Sequence, residues 1–218
     1  MTLPAAPLCL PLIALLGSTL LGACSNPEDT GRYLIDPPTA GISVANRLGT
    51  AELKDVSLPD YASDQEVAFQ SDDGAVRSNP DNLWADTPSR AFSIALARAI
   101  SEVSGATVIG EPWPLAEPPA RVLEVRVERA LAQTNNVYRL SGRYFVADDG
   151  LSGSGTNHAR SFDISVPMAA QTPAATADAA GQAISLLAQQ IATLSGPGAT
   201  IATRQPAAAD PFDLPPLF

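Results

Sequence analysis

The chain has 218 residues, with 13 Lys and Arg against 23 Asp and Glu, a single His and two Cys, giving a formal net charge of −10. That acidic balance does not suit nucleic-acid binding, which depends on Lys and Arg neutralising phosphates. The length suits one domain with flexible ends.

The first 23 residues contain no Asp, Glu, Lys or Arg, and Leu8 to Ala23 is dominated by Leu, Ala, Ile and small residues. Such a run reads as a secretion signal. Pro11 interrupts it, and it is shorter than the ~20 residues a bilayer span requires. The basic start usual in such signals is missing from "MTLPAAP". The run closes on Leu21-Gly22-Ala23-Cys24, which resembles the lipobox of bacterial lipoproteins. That resemblance implies cleavage after Ala23 and acylation of Cys24 as the first mature residue. Each buried acyl CH₂ contributes ~0.8 kcal/mol, and two or more chains suffice for stable attachment without a span. Cys9 falls in the removed segment, so the mature chain keeps no free thiol. Disulfides, thiolate metal sites and a cysteine nucleophile drop out together. Ser25, where retained lipoproteins carry Asp, implies an outer-membrane address facing the periplasm.

Residues 24–31 form a short polar tether, and the domain is expected over 32–196. "RYLIDPP" reads as a brief strand stopped by Pro37-Pro38, and "LGTAELKDVSL" (48–58) as a second strand. "EVAFQ" and "AVR" around the turn "SDDG" make a hairpin. Thr87-Pro88 opens a helix, with Thr able to cap and Pro suited to the first helical position. Phe92, Ala95, Leu96, Ala99 and Val103 recur at helical spacing up to Gly105. A short strand, "ATVIG", and a Pro-rich bend, "EPWPLAEPP", follow.

Three segments then alternate with period two. Leu123, Val125 and Val127 start the first; Tyr138, Leu140, Tyr144 and Val146 mark the second; Phe162, Ile164 and Val166 mark the third. Polar residues fill the intervening positions, which predicts an antiparallel meander with one wet face. A second helix, about Thr176 to Ser195, carries Ile184, Leu187 and Ile191 on one side. Residues 197–218, rich in Pro and Ala, predict a disordered tail.

The chemistry-bearing residues are sparse. His158 shares its row with Arg160, which marks a sheet rim and a structural or solvated imidazole, and no Ser or Asp signature supplies it with a nucleophile. Asp72-Asp73 and Asp148-Asp149 sit beside Gly as turn formers, without the alternating ligands of a calcium loop. The glycine-rich run 150–155 joins two strands and does not open a helix, so phosphate binding is poorly supported. Trp84 either anchors a partner or staples the first helix onto the sheet, and Trp113 has the same two readings beneath the Pro-rich bend. "DPFDLPPLF" ends in Phe218, but Pro215-Pro216 keep it out of a central strand.

In order and spacing, "YLIDPP" (33–38), "VSLPDYA" (56–62), "LWADTPSRAF" (83–92), "EPWPL" (111–115), "VLEVRVERALA" (122–132) and "YRLSGRYFVA" (138–147) resemble the PqiC/YmbA family of ABC-transport auxiliary lipoproteins, associated with MCE-type lipid transport. The chain departs from the family at Ala62 and at Thr87-Pro88. The resemblance implies an α/β single-domain sandwich, a mixed and largely antiparallel sheet with two amphipathic helices packed on it, which agrees with the periodicities. It also implies a non-enzymatic role without cofactor: an outer-membrane lipoprotein docking a periplasmic MCE-domain protein, with a ring of identical subunits capping a tubular partner. Tyr61, Trp84 and Phe218 are the expected partner contacts. An anchored chaperone or assembly factor for outer-membrane components is the alternative, and an anchored envelope hydrolase is the enzymatic one.

Overall fold

A computed structural model describes residues 30–39, 41–148 and 155–202. The chain begins with β1 (Gly31–Tyr33), β2 (Thr50–Leu53), a one-turn helix α1 (Asp60–Ser63), the hairpin β3 (Phe69–Gln70) and β4 (Val76–Arg77), and β5 (Asn82–Trp84). The long helix α2 (Pro88–Ser104) and β6 (Thr107–Gly110) follow. Then come the three long strands β7 (Arg121–Gln133), β8 (Val137–Asp148) and β9 (Thr156–Pro167), the helix α3 (Pro173–Thr193) and β10 (Gly198–Ala202). The main sheet runs β10-β9-β8-β7-β2-β6, with the β3–β4 hairpin on the far end of β7, and β1 pairs separately with β5. β2 is parallel to both β6 and β7, whereas β7 to β10 are antiparallel. This is the mixed, largely antiparallel α/β arrangement expected from the alternating segments, with α1 as a third, short helix.

One face of the meander is apolar because its residues share parity across strands. Leu123 lies opposite Val146, Val125 opposite Tyr144, and Val127 opposite Gly142. Beyond Val127 the register shifts at Glu128, so that Ala130 faces Leu140 and Ala132 faces Tyr138. A bulge of this kind moves the following side chains to the other parity, which explains why simple alternation stops at Val127 in the sequence. Gly142 belongs to the same feature: a Cβ there would lie 2.2 Å from the Arg126 carbonyl and 2.9 Å from the Val127 Cα.

Both long helices cover this face. α2 buries Phe92, Leu96, Ile100 and Val103, and α3 buries Ile184, Leu187 and Ile191 beside a series of alanines. Fully burying each large aliphatic chain contributes about 1.5–3 kcal/mol. Ser93 is a buried polar group with a role, accepting from the Val56 amide at 2.9 Å and donating to the Ser89 carbonyl at 2.8 Å. Tyr144 reaches from the sheet to the end of α3, where its hydroxyl donates to the Ser195 carbonyl. Burial pushes this phenol up to about 12, so it stays a neutral donor.

Two expectations are corrected. The Thr87 side chain does not cap α2; the turn is held instead by the Thr87 amide donating to Asp86 Oδ1. The Thr-Pro pair that does cap is Thr172-Pro173, where Thr172 Oγ1 accepts from the Ala175 amide and starts α3 earlier than its apolar stripe suggests. Nor does order stop at 196. Gly198–Ala202 pairs with β9 from Gly198 opposite Arg160 to Ala202 opposite Thr156. Averaged Pro and Ala content hid five residues free of both Pro and charge, entered through Gly196 and Gly198 at φ of 111° and 149°. Ala23, Cys24, the glycine-rich loop 149–154 and residues 203–218, with Phe218, lie outside the described residues.

Replacing Gly142 with Ala should cost about 1–3 kcal/mol through forced backbone displacement at the bulge, read as a lowered midpoint in denaturant titration. Gly74, whose Cβ would meet nothing within 4 Å, is not an equivalent control because its φ of 85° strains any side chain. Gly110 to Ala, in open space, is the control and should leave the midpoint within about 0.5 kcal/mol.

Candidate functional site

Among the described residues, His158 meets hydroxyls and guanidiniums. Its Nδ1 lies 3.2 Å from Thr200 Oγ1 and its Nε2 3.4 Å from Thr156 Oγ1, so the ring bridges β9 and β10. Burial lowers its pKa below the ordinary 6.5, and the Arg160 and Arg121 guanidiniums lower it further. A general base is normally oriented by a carboxylate or a comparable acceptor; here the neighbours are hydroxyls and cations. Among the described residues no group of three or more His, Cys, Asp or Glu side chains is placed to hold a metal ion.

Of the three predicted aromatic contacts, Tyr61 and Trp84 fall within the described residues, and both have structural roles. β7 is flanked in turn by β2, by Ser57 bridging to Arg126, and by β3 at Ala132. Between the last two the Ala130 amide has no strand partner and donates to the Tyr61 hydroxyl at 3.2 Å. Tyr61 therefore closes a gap in the sheet edge. Trp84 ends β5, is 7% exposed, and belongs to the core beside Phe92 and Leu96. Its amide donates to the Gln65 carbonyl at 2.7 Å. Trp113 lies under the Pro-rich bend, its indole N–H donating to the Glu117 carbonyl at 2.7 Å and its amide to Glu52 at 3.0 Å.

Trp84 is nonetheless the wall of an open groove of about 190 Å³ between the segment after β1 and α2. The exposed lining is Leu34, 72% exposed, and Ile94, 54% exposed. Arg98 closes one side through an ion pair with Asp36 at 2.5 Å, and Arg90 pairs with Asp86 on another. Sequence reasoning passed over both apolar residues. The signal was present in Ile94, which falls off the Phe92, Ala95, Leu96, Ala99 stripe, and in Leu34, whose neighbours Tyr33 and Ile35 pack inward.

The chain entering this region is pinned to the helices. A Cβ on Gly181 of α3 would lie 2.6 Å from the Asp36 carbonyl, and Ser185 Oγ donates to the Pro38 carbonyl at 3.0 Å. Residues 33–38 thus cross the helix layer, away from the uncovered side of the sheet. No helix among the described residues is long and apolar enough to cross a membrane.

Two outcomes follow from these placements. Trp84→Ala should lose about 3–5 kcal/mol of stability by equilibrium unfolding, whereas Leu34→Ser and Ile94→Ser should stay within about 0.5 kcal/mol. The His158 ring protons should titrate by NMR with a midpoint below 6.5, and Arg160→Gln should raise it. Because the folded value lies below the unfolded one, His158 contributes stability above the ordinary value, and that contribution is lost as pH falls through the folded value.

A search of curated proteins finds no match to the chain. Among solved structures, an uncharacterized protein aligns with a TM-score of 0.57 at 18% identity, covering 69% of this chain and 95% of that one. A Xanthomonas campestris protein of the DUF330 family aligns with a TM-score of 0.51 at 14% identity, covering 75% of this chain and 93% of its own. Both likenesses are of fold. The family described as ABC-type transport auxiliary lipoprotein component matches residues 33–192, from β1 through α3. The match spans the meander, both long helices and the pinned entry segment, and the chain belongs to that family of auxiliary transport lipoproteins.

Proposed function

We propose that the protein is the outer-membrane lipoprotein subunit of an MCE-type intermembrane lipid transport system, docking a periplasmic MCE-domain assembly and supporting envelope integrity. The observation that carries this reading is the family match over 33–192 directly behind an apolar leader ending in Leu21-Gly22-Ala23-Cys24. Cys24 precedes Thr30, the first described residue, by a stretch short enough to hold the body close to the bilayer that takes the acyl chains. At ~3.3–3.6 Å per extended residue this reach is about 20 Å. Ser25 supports the outer membrane as address.

In this reading the protein's contribution is placement, not chemistry. The acyl chains on Cys24 supply the attachment, the segment 33–38 transmits it to α2 and α3, and the remaining surface is free to hold a partner.

A crosslinked pull-down of the full-length lipoprotein from native membranes, beside a Cys24→Ala variant, tests the proposal. Recovery of an MCE-domain protein, weakened when Cys24 is lost, is the expected result. Recovery of barrel-assembly or lipopolysaccharide-export components instead would overturn it in favour of an assembly factor.

A further inference from the structure

The uncovered face of the meander carries an arrangement that the fold does not need. Arg126 on β7 and Arg143 on β8 lie directly opposite each other in the register, a like-charge placement that costs stability in a sheet. Their guanidinium carbons sit 5.1 and 5.4 Å from the centroid of the Phe145 ring, so two cations share one aromatic. One row further along, Arg129 lies opposite Ser141 and Ser141 opposite Asp163; beyond that, Arg139 lies opposite Ser165. Arg126 is paired with Glu124 at 2.6 Å, and Arg139 with Asp163 through two bonds at 2.8 and 2.5 Å. Arg129 and Arg143 make no ion pair among the described residues, and both are exposed.

We infer that this face of β7, β8 and β9 is the docking surface for an acidic segment of a protein partner. Four guanidiniums gathered on β7 and β8 form a local cationic field on a chain of net charge −10, and complementary charge is what steers and orients a protein encounter. Glu124 and Asp163 are already paired with Arg126 and Arg139, which leaves Arg143 and Arg129, the latter near enough to Asp163 to help Arg139 hold its carboxyl below the ordinary value, as the guanidiniums without an ion pair for the partner's carboxylates. Arginine in such fixed positions favours bidentate carboxylate recognition. A membrane surface is the poorer occupant, because residues 33–38 leave for the N-terminus across the helix layer, on the other side of the sheet. The inference rests on the reading above only in taking the chain as a subunit with a protein partner.

A photoreactive aromatic residue in place of Ser141, in the full-length lipoprotein in native membranes, tests the surface. The expected product is one discrete protein adduct whose crosslinked peptide is rich in Asp and Glu, with a yield falling about tenfold or more in Arg129→Glu/Arg143→Glu. Arg129→Gln/Arg143→Gln, which adds no new charge and so guards against misfolding of the glutamate variant, should also lower the yield, and an unchanged yield there would overturn the inference. Arg98→Glu on the helix side should leave it unchanged. Adducts with lipid, adducts with residues 203–218 of the same chain, or no adduct would each overturn the inference. An Arg-dependent adduct to an acidic protein without MCE domains would sustain the surface and overturn the proposed function. Loss of the adduct with the MCE-domain protein still retained in the pull-down would do the reverse.

Discussion

The passage of β8 across β7 at Gly142 is the constraint on which the remaining structure depends. Opposite Val127 there is space for hydrogen and not for a methyl group, and immediately beyond it the register steps past Glu128. The step keeps Ala130 and Ala132 on the side of Leu140 and Tyr138, so one apolar face continues along the whole of β7. Without it, the last third of that strand would turn its small side chains to water and its charges to the helices. α2 and α3 therefore rest on a surface whose continuity depends on one bulge and one glycine.

A long strand with a bulge leaves its outer edge in need of partners, and the first third of the chain supplies them piecemeal. β2, Ser57, the Tyr61 hydroxyl and β3 satisfy successive stretches of β7. The segment "VSLPDYA" accordingly forms little regular structure of its own. Its residues act as local acceptors and donors along another segment's edge. The same division of labour puts Trp84 in the core, where it links β5 to α2, and leaves the exposed apolar contacts to Leu34 and Ile94.

The parts of this architecture that were legible in the sequence are those with a sustained period. Three alternating strands and two apolar helical stripes are carried by Leu123 to Val127, Tyr138 to Val146, Phe162 to Val166, Phe92 to Val103 and Ile184 to Ile191. The short elements were not legible, since two or three residues have no period to read. Thr87 and Thr172 show the limit of local rules: both precede Pro, yet one caps with its side chain and the other yields to Asp86. β10 was hidden by the composition of the tail that contains it. The arginine-bearing face was visible only as alternating polar positions, because which arginines meet depends on the register shift at Glu128, a tertiary fact.

The entry of the chain has a mechanical consequence. β1 lies parallel to β5, with the Gly31 amide bonded to the Asp81 carbonyl at 2.7 Å and the Tyr33 carbonyl accepting from the Ala85 amide at 2.9 Å. Tension applied from the N-terminal side runs along the axis of β1, so these bonds are loaded together in shear and are not opened one after another. The load then passes through Asp36 and Pro38 into α2 and α3, while the meander lies outside its path. A pull on the N-terminus is therefore met first by β1 and β5, and only then by the helices that rest on β7, β8 and β9.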